Sequence, residues 1–353
     1  SLPTETWYAV FSALPLSSLL HATLVSQQWH SIVDCILYAS LSIHDSLSPA
    51  PSRTNTLLAT LQARPYLAAY PKRLYIRWHV RSPSKPRGAL DLSLLAPAEQ
   101  ALTALSQVLP TLTELTALDL LFGPAGVRFP PSTLLSACLF PSLASLTLAG
   151  LSTSTPSALT SFLTQHPTLT HLRLCDTPHA LPLPASALPH LTSFKGSPST
   201  AAALLPGRAV ASLTLLGVHP EFVSAVSLEH MARACVRVLD LGLMSVTPPL
   251  LRDVSRYFTQ LQVLRVRLAL RHTLHFALSG IALLAALTPV LSSFPLLAEL
   301  DLSPTDVPGR AQPAEEHSLC ATYGRACPSL VRVVFPSGAE WWQGEGMWIG
   351  RCL

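Results

Sequence analysis

The chain has 353 residues, of which 49% are hydrophobic and only 12% charged, with a formal net charge of +4. A soluble domain carries roughly 25% charged residues, so the composition leaves a membrane protein or a fold that buries many apolar strips behind a Ser/Thr surface. The modest charge, without a long Lys/Arg cluster, argues against a nucleic-acid binder. The seven scattered cysteines, with no CxxC pair and no Asn-x-Ser/Thr site, read as reduced thiols of a cytoplasmic or nuclear protein.

From Trp7 to Val25 there is no Asp, Glu, Lys or Arg, which raises the alternative of an export signal or membrane anchor. A secretory signal begins with positive charge, yet the charge that precedes this run is Glu5, and Pro15 breaks it. Three short helices are the better expectation. Pro3 suits a first helical position and Glu5 a first turn. Val10, Phe11 and Leu14 share the face of the first helix. Leu19, Leu20 and Leu24 follow the break at Pro15, and a third helix carries Val25, Trp29, Ile32 and Val33.

Further along, Lys72, Arg73, Arg77, Arg81, Lys85 and Arg87 form the densest basic stretch, read as a solvated loop, although "YPKRLYIRW" also fits a strand with Leu74 and Ile76 inward. From Leu115 onward one phrase recurs, apolar-x-x-apolar-x-apolar. Its first apolar positions are Leu115, Leu143, Leu169, Leu191, Val210, Val236, Leu261, Leu297 and Leu330, at steps of 19 to 36 residues. Most steps lie in or near the leucine-rich-repeat period of roughly 20–29 residues. Alternation such as Leu146-Thr147-Leu148 predicts a strand with one buried face. Residues 155–166, 220–235 and 247–258 read as helices between strands. One strand and one helix cannot bury their apolar faces alone, but stacked copies can. Regular repeats of this kind carry Asn or Cys three positions beyond the last strand residue. Here Gly123, Leu151, Thr177, Ser199, Val218, Met244, Ala269, Thr305 and Gly338 stand there, so an irregular solenoid is expected. The uncharged run 274–294 is long enough to span a bilayer, but Pro289 interrupts it and a repeat strand follows, so a buried helix is the better reading.

With the repeats in view, Leu2-Pro3-Thr4-Glu5, the apolar set Val10, Phe11 and Leu14, the turn Pro15–Leu19, and Val25-Ser26-Gln27-Gln28-Trp29 followed by Ile32 resemble an F-box. The repeats resemble those of fungal F-box/leucine-rich-repeat proteins. Trp7 departs from the usual smaller aliphatic, and Gln27-Gln28 from the commoner basic pair. The resemblance implies an α/β chain with a three-helix F-box at 1–45, a connecting segment at 46–69 and an irregular leucine-rich-repeat solenoid at 70–353, with parallel strands on one face and helices on the other. It implies a substrate receptor of an SCF-type cullin–RING ubiquitin ligase that binds a Skp adaptor and, through it, cullin. The adaptor contacts it implies are Leu2, Pro3, Val10, Phe11, Leu14, Leu19, Leu20, Val25, Trp29 and Ile32. Of these, Pro3 and Leu14 lean towards contact, and Trp29 and Val25 towards a core with a partly exposed edge.

A protein substrate would meet the strand face at outward positions such as Thr147, Arg173, Asp240, Arg265 and Asp301, or the loop 177–187. No nucleophile elbow, phosphate-binding loop, HExxH or metal-ligand spacing occurs, so no enzyme activity, cofactor, metal, nucleic-acid partner or membrane partner is expected. Glu229-His230 and Glu315-Glu316-His317 read as solvated helix faces. Trp341, Trp342 and Trp348 read as a cap on the last repeat. The alternatives are a repeat scaffold acting outside ubiquitination and a membrane-anchored receptor.

Overall fold

The computed structural model describes residues 2–47, 50–79, 95–126, 129–151, 156–175, 180–217, 225–269, 284–306 and 313–351. It forms two units, Ser1–Asp176 and Thr177–Leu353.

The first unit opens with helices α1 (Thr4–Ser12), α2 (Leu16–Ala22) and α3 (Gln27–Tyr38). Pro3 is the residue before α1, and its carbonyl accepts the N–H groups of Thr6 and Trp7. Pro15 stands in the same place before α2. The side chain of Ser26 caps α3 by accepting the Trp29 N–H at 3.2 Å. Both helices α1 and α2 pack on α3. The core between them is Phe11, Leu19, Ala22, Ile32 and Val33, with Trp7, Trp29, Ile36 and Leu37 partly buried against it. Trp7, the departure from the usual aliphatic, is taken up by an aromatic cluster: its ring lies 5.6 Å from Phe11 and 4.8 Å from Trp29.

The repeats begin earlier than residue 70. Strand β1 (Ser40–Ser46) follows α3 almost at once and pairs in parallel with β2 (Arg73–His79). The segment 46–69 holds helix α4 (Ser52–Ala63), which packs on β1, and a 3₁₀ turn at Pro65–Ala69. Strands β3 (Ala117–Leu121), β4 (Ser145–Ala149) and β5 (His171–Leu174) continue the parallel sheet in chain order. Helices α4, α5 (Leu95–Val108), α6 (Pro131–Leu135) and α7 (Pro156–Gln165) stack in the same order. The inward positions Leu74, Ile76, Leu118, Leu120, Leu146, Leu148, Leu172 and Leu174 are buried against them. The basic residues Arg73 and Arg77 therefore lie in a strand, not in a solvated loop; Arg81, Lys85 and Arg87 are outside the described residues.

In the second unit β6 (Ser193–Gly196), β7 (Ser212–Leu216), β8 (Val238–Val246), β9 (Val263–Leu268), β10 (Glu299–Asp301) and β11 (Arg332–Val334) pair in parallel, each with the next. Helices α8 (Pro198–Leu204), α9 (Ala225–Ala232), α10 (Pro248–Tyr257), α11 (Thr288–Leu291) and α12 (Pro313–Ala326) stack beside them. Every predicted phrase from Leu115 onward places a strand two residues after its first apolar position.

One bond pattern recurs along both units: two consecutive N–H groups share one carbonyl of the preceding repeat. Thr116 and Ala117 share Lys72, Ala144 and Ser145 share Thr116, and Gln262 and Val263 share Arg237. This ladder supplies a tie that the missing asparagines do not. Thr305 supplies another. Its hydroxyl accepts the Leu268 N–H at 3.1 Å and reaches the Val266 carbonyl at 3.3 Å. The irregularity expected from the sequence is visible as register shifts in β8, between Thr214 and Leu216 of its β7 partner and between its own Leu241 and Ser245.

The last repeat ends in an antiparallel hairpin, β12 (Glu340–Gly344) and β13 (Met347–Arg351), laid on β11. Trp341 and Trp348 are buried beneath it, while Trp342 stays out and stacks under the Arg332 guanidinium at 5.0 Å. Glu316 corrects one expectation. It is buried, not solvated, and accepts the Trp341 indole N–H at 2.9 Å and the Ser337 hydroxyl at 2.6 Å. No helix among the described residues is long and apolar enough to cross a membrane; most of the run 274–294 lies outside them.

Candidate functional site

Forty-odd residues are near the lower limit for an independently stable domain, and this one divides its apolar side chains sharply. Of the ten positions implied as adaptor contacts, Phe11, Leu19 and Ile32 are buried in the three-helix core and Trp29 is half-buried against it. Leu2, Pro3, Val10, Leu14, Leu20 and Val25 are exposed. Val25 differs from its reading as a core residue: it is 62% exposed. The reason is the cap at Ser26, which starts α3 at Gln27 and leaves Val25 in the preceding turn. Leu16, Leu24 and Tyr8, none of them among the implied contacts, are exposed as well. Val10 and Leu14 therefore point away from Phe11, although all three share one sequence pattern. The three helices thus hold a small aromatic core and leave the aliphatic side chains Leu2, Val10, Leu14, Leu16, Leu20, Leu24 and Val25 exposed.

Helix α3 is fixed to the repeats by polar contacts. Asp34 is buried, 3.3 Å from His30 Nε2 one turn earlier, and accepts from the Tyr66 hydroxyl at 3.4 Å. A second buried carboxylate, Asp45, pins β1 to α4. It accepts the Thr54 N–H at 2.9 Å, the Thr54 hydroxyl at 3.2 Å and the Ser46 N–H at 3.0 Å. Thr54 in turn accepts the Trp78 indole N–H at 3.0 Å. A carboxylate facing the first turn of α4 is also favourably placed on the helix dipole. Sequence reading missed this network, since Asp45, Thr54 and Trp78 are brought together only by the β1–α4–β2 turn.

The strand-face positions proposed for substrate fall into two groups. Thr147 is buried, because its register neighbours Asp119 and Arg173 carry longer side chains on both flanking strands. Arg173 is half-buried and donates to Cys175 Sγ at 3.2 Å. In the second unit the charges answer one another. Arg265 Nε lies 3.2 Å from Asp301 Oδ2, and Arg332 bridges Glu299 and Glu340, each at 2.9 Å. Asp240 and Asp301 also accept the N–H groups two residues on, at Gly242 and Ser303. In the first unit Arg73, Arg77, His44 and His79 stand exposed on β1 and β2, and no carboxylate lies in ion-pair reach of them among the described residues.

Elsewhere Thr288 Oγ1 and Arg332 Nε are buried without a hydrogen-bond partner among the described residues, whereas His166 and Arg208 are internally satisfied. His166 accepts the Phe140 N–H on Nε2 at 3.0 Å and meets the Phe162 carbonyl with Nδ1 at 2.6 Å, which fixes the Nδ1–H tautomer. Burial lowers its pKa, only partly offset by the Phe162 bond. Arg208 is buried and donates to the carbonyls of Leu204, Ala187 and Pro184. Burial pushes the Cys138 thiol up to about 12. No group of three or more His, Cys, Asp or Glu is arranged to hold a metal among the described residues.

Residues 1–44 match the F-box-like family. No curated protein matches the chain. Among solved structures it is similar to the leucine-rich repeat-containing protein LegL7 from Legionella pneumophila, at 20% identity over 67% of this chain and 80% of that one, with a TM-score of 0.43. It is also similar to a chain of the Rad7 and Elc1 complex in yeast, at 12% identity over 70% of this chain and 60% of that one, with a TM-score of 0.38. The chain therefore carries an F-box-like domain at residues 1–44, followed by parallel strand–helix repeats.

Proposed function

We propose that this chain is a substrate-receptor subunit of an SCF-type cullin–RING ubiquitin ligase. The F-box docks on a Skp adaptor, which links it to cullin, and the repeats hold the protein to be modified. The receptor itself performs no chemistry and works in the cytoplasm or nucleus. The observation that carries this reading is the division of the F-box side chains. Phe11, Leu19, Ala22, Ile32 and Val33 complete a core, while Leu2, Val10, Leu14, Leu16, Leu20, Leu24 and Val25 are left exposed in one small three-helix unit. A surface of that kind marks a protein–protein contact. Pro3 belongs to the proposed contact, and Phe11, Leu19, Ile32 and Trp29 act by holding the helices that present it.

The test is capture of a purified Skp adaptor by the purified chain, beside a Leu14→Asp/Leu20→Asp double variant. Both substitutions fall on exposed side chains, so circular dichroism and melting are expected to match the parent. Capture by the parent and loss in the folded variant support the proposal. A folded parent that fails to capture the adaptor overturns it.

A further inference from the structure

The repeat sheet has an edge at β1. In the first unit β1 pairs with β2 on one side and, among the described residues, with no strand on the other. The phase of the ladder tells which groups are left over. Arg73 N–H donates to the Ala39 carbonyl and Leu47 N–H to the His79 carbonyl, both at 3.1 Å. In a parallel pair alternate residues bond the same neighbour, so Leu41, Ile43 and Asp45 turn their N–H and C=O towards β2. Ser40, Ser42 and His44 turn theirs to the open edge. Of these groups the His44 carbonyl has a partner, Arg53 Nη1 at 3.4 Å.

The same edge lacks apolar cover. Inward residues of β2 are buried, but Leu41 and Ile43 on β1 remain half-exposed, as does Leu57 on α4. Between β1 and α4 lies a groove of about 510 Å³ lined by these three with Ser42, Arg53 and Thr56 among others. Its wall is rigid, because Asp45 ties β1 to the first turn of α4. A row of unpaired main-chain groups beside a shallow apolar floor is the template onto which an extended peptide adds as a strand.

Charge selects the peptide. Arg53 lines the groove, and Arg77 stands beside His44 in register on the adjoining strand face, with Arg73 four residues before it beside Ser40. None of the three arginines has a carboxylate within ion-pair distance among the described residues, whereas Arg265 and Arg332 in the second unit are already neutralised. We propose that the edge of β1 binds an extended acidic segment of a partner protein by strand addition, with Ser40, Ser42 and the His44 N–H supplying the main-chain bonds and Arg53 and Arg77 the charge selection. This deepens the target-holding half of the proposed function and rests on it.

The experiment titrates the full chain into a fluorescein-labelled peptide of alternating Glu and Val, and into the same peptide with Lys for Glu, followed by anisotropy. The Glu peptide is expected to bind at least about tenfold more tightly than the Lys peptide. Ser42→Pro removes an outward N–H without touching the β1–β2 ladder and is expected to weaken the Glu peptide at least about tenfold. Arg53→Gln/Arg77→Gln is expected to bring the two peptides towards equal affinity. Hydrogen exchange at the Ser42 and His44 amides provides a reading that needs no variant: both should slow when the Glu peptide is added. Equal binding of the two peptides, no binding at millimolar concentration, or amides that exchange unchanged would each overturn the inference. So would self-association abolished by Ser42→Pro, which assigns the edge to a second copy, or tighter binding of an oligothymidylate, which assigns the arginines to nucleic acid. Adaptor capture is measured on the same preparation: capture without peptide binding sinks this inference alone.

Discussion

Leu20 offers a sharp test of how the F-box is built, because 54% of it is exposed in the free chain. Fully burying a Leu side chain contributes roughly 1.5–3 kcal/mol. About half of that remains to be gained when an adaptor covers it, or about 1 kcal/mol. Leu20→Ala forfeits most of this, so adaptor affinity should fall about fivefold while the melting temperature stays unchanged. Phe11→Ala is the contrasting perturbation. Phe11 is 2% exposed and packs between Trp7 and Trp29, with ring separations of 5.6 and 5.0 Å. Truncating a buried Phe costs roughly 3–5 kcal/mol of folding free energy, more than a three-helix unit of this size holds in reserve. It should abolish adaptor binding by melting helices α1 to α3. Calorimetric titration with a Skp adaptor reads the first effect, and far-ultraviolet circular dichroism against temperature reads the second. The reasoning is refuted if Leu20→Ala leaves the Kd unchanged, or if Phe11→Ala stays folded and binds normally.

Three further outcomes follow from buried polar groups. Asp45→Ala strands two N–H groups and a hydroxyl near Trp78, so it should cost about 3 kcal/mol, seen as a lower urea midpoint; an effect below about 0.5 kcal/mol, the range of an ordinary surface change, contradicts the network. His166 is neutral and buried, with its pKa lowered, so the unfolded chain binds the proton first. Its contribution is present above the unfolded value of about 6.5 and is lost as pH falls through the folded value. Urea titrations between neutral pH and pH 5 should show that loss in the parent, and His166→Gln should flatten it. Glu316→Ala removes the acceptor of Trp341 and Ser337; amide exchange in β12 and β13 should rise well before that of β7 to β9, and uniform exchange across the second unit would speak against a locally held hairpin.

The repeat was legible in the sequence because a strand with one buried face writes its own alternation. Leu118-Asp119-Leu120 and Leu239-Asp240-Leu241 announce both strand and inward face without reference to any neighbour. The helix break at Pro15 was legible for the same reason, since backbone chemistry there is local, whereas the cap at Ser26 was not read and Val25 was placed in the third helix. Strand β1 was not. Ser40-Leu41-Ser42-Ile43-His44 alternates, but only these five residues do so before the buried Asp45, and α3 ends immediately before them. Periodicity also could not divide Val10 and Leu14 from Phe11, since spacing assigns residues to a face of a helix but not to what that face meets. The packing of α1 and α2 on α3 decided that Phe11 lies inside and Val10, Leu14, Leu20 and Val25 outside. Likewise Glu316 looked like a solvated residue until a hairpin from 25 residues on brought Trp341 to it. Local sequence determined the elements and their inward rows, since those follow from side-chain period and backbone breaks; which apolar and charged groups were left unpartnered, and so available to other proteins, depended on contacts between distant segments and was decided only by the tertiary structure.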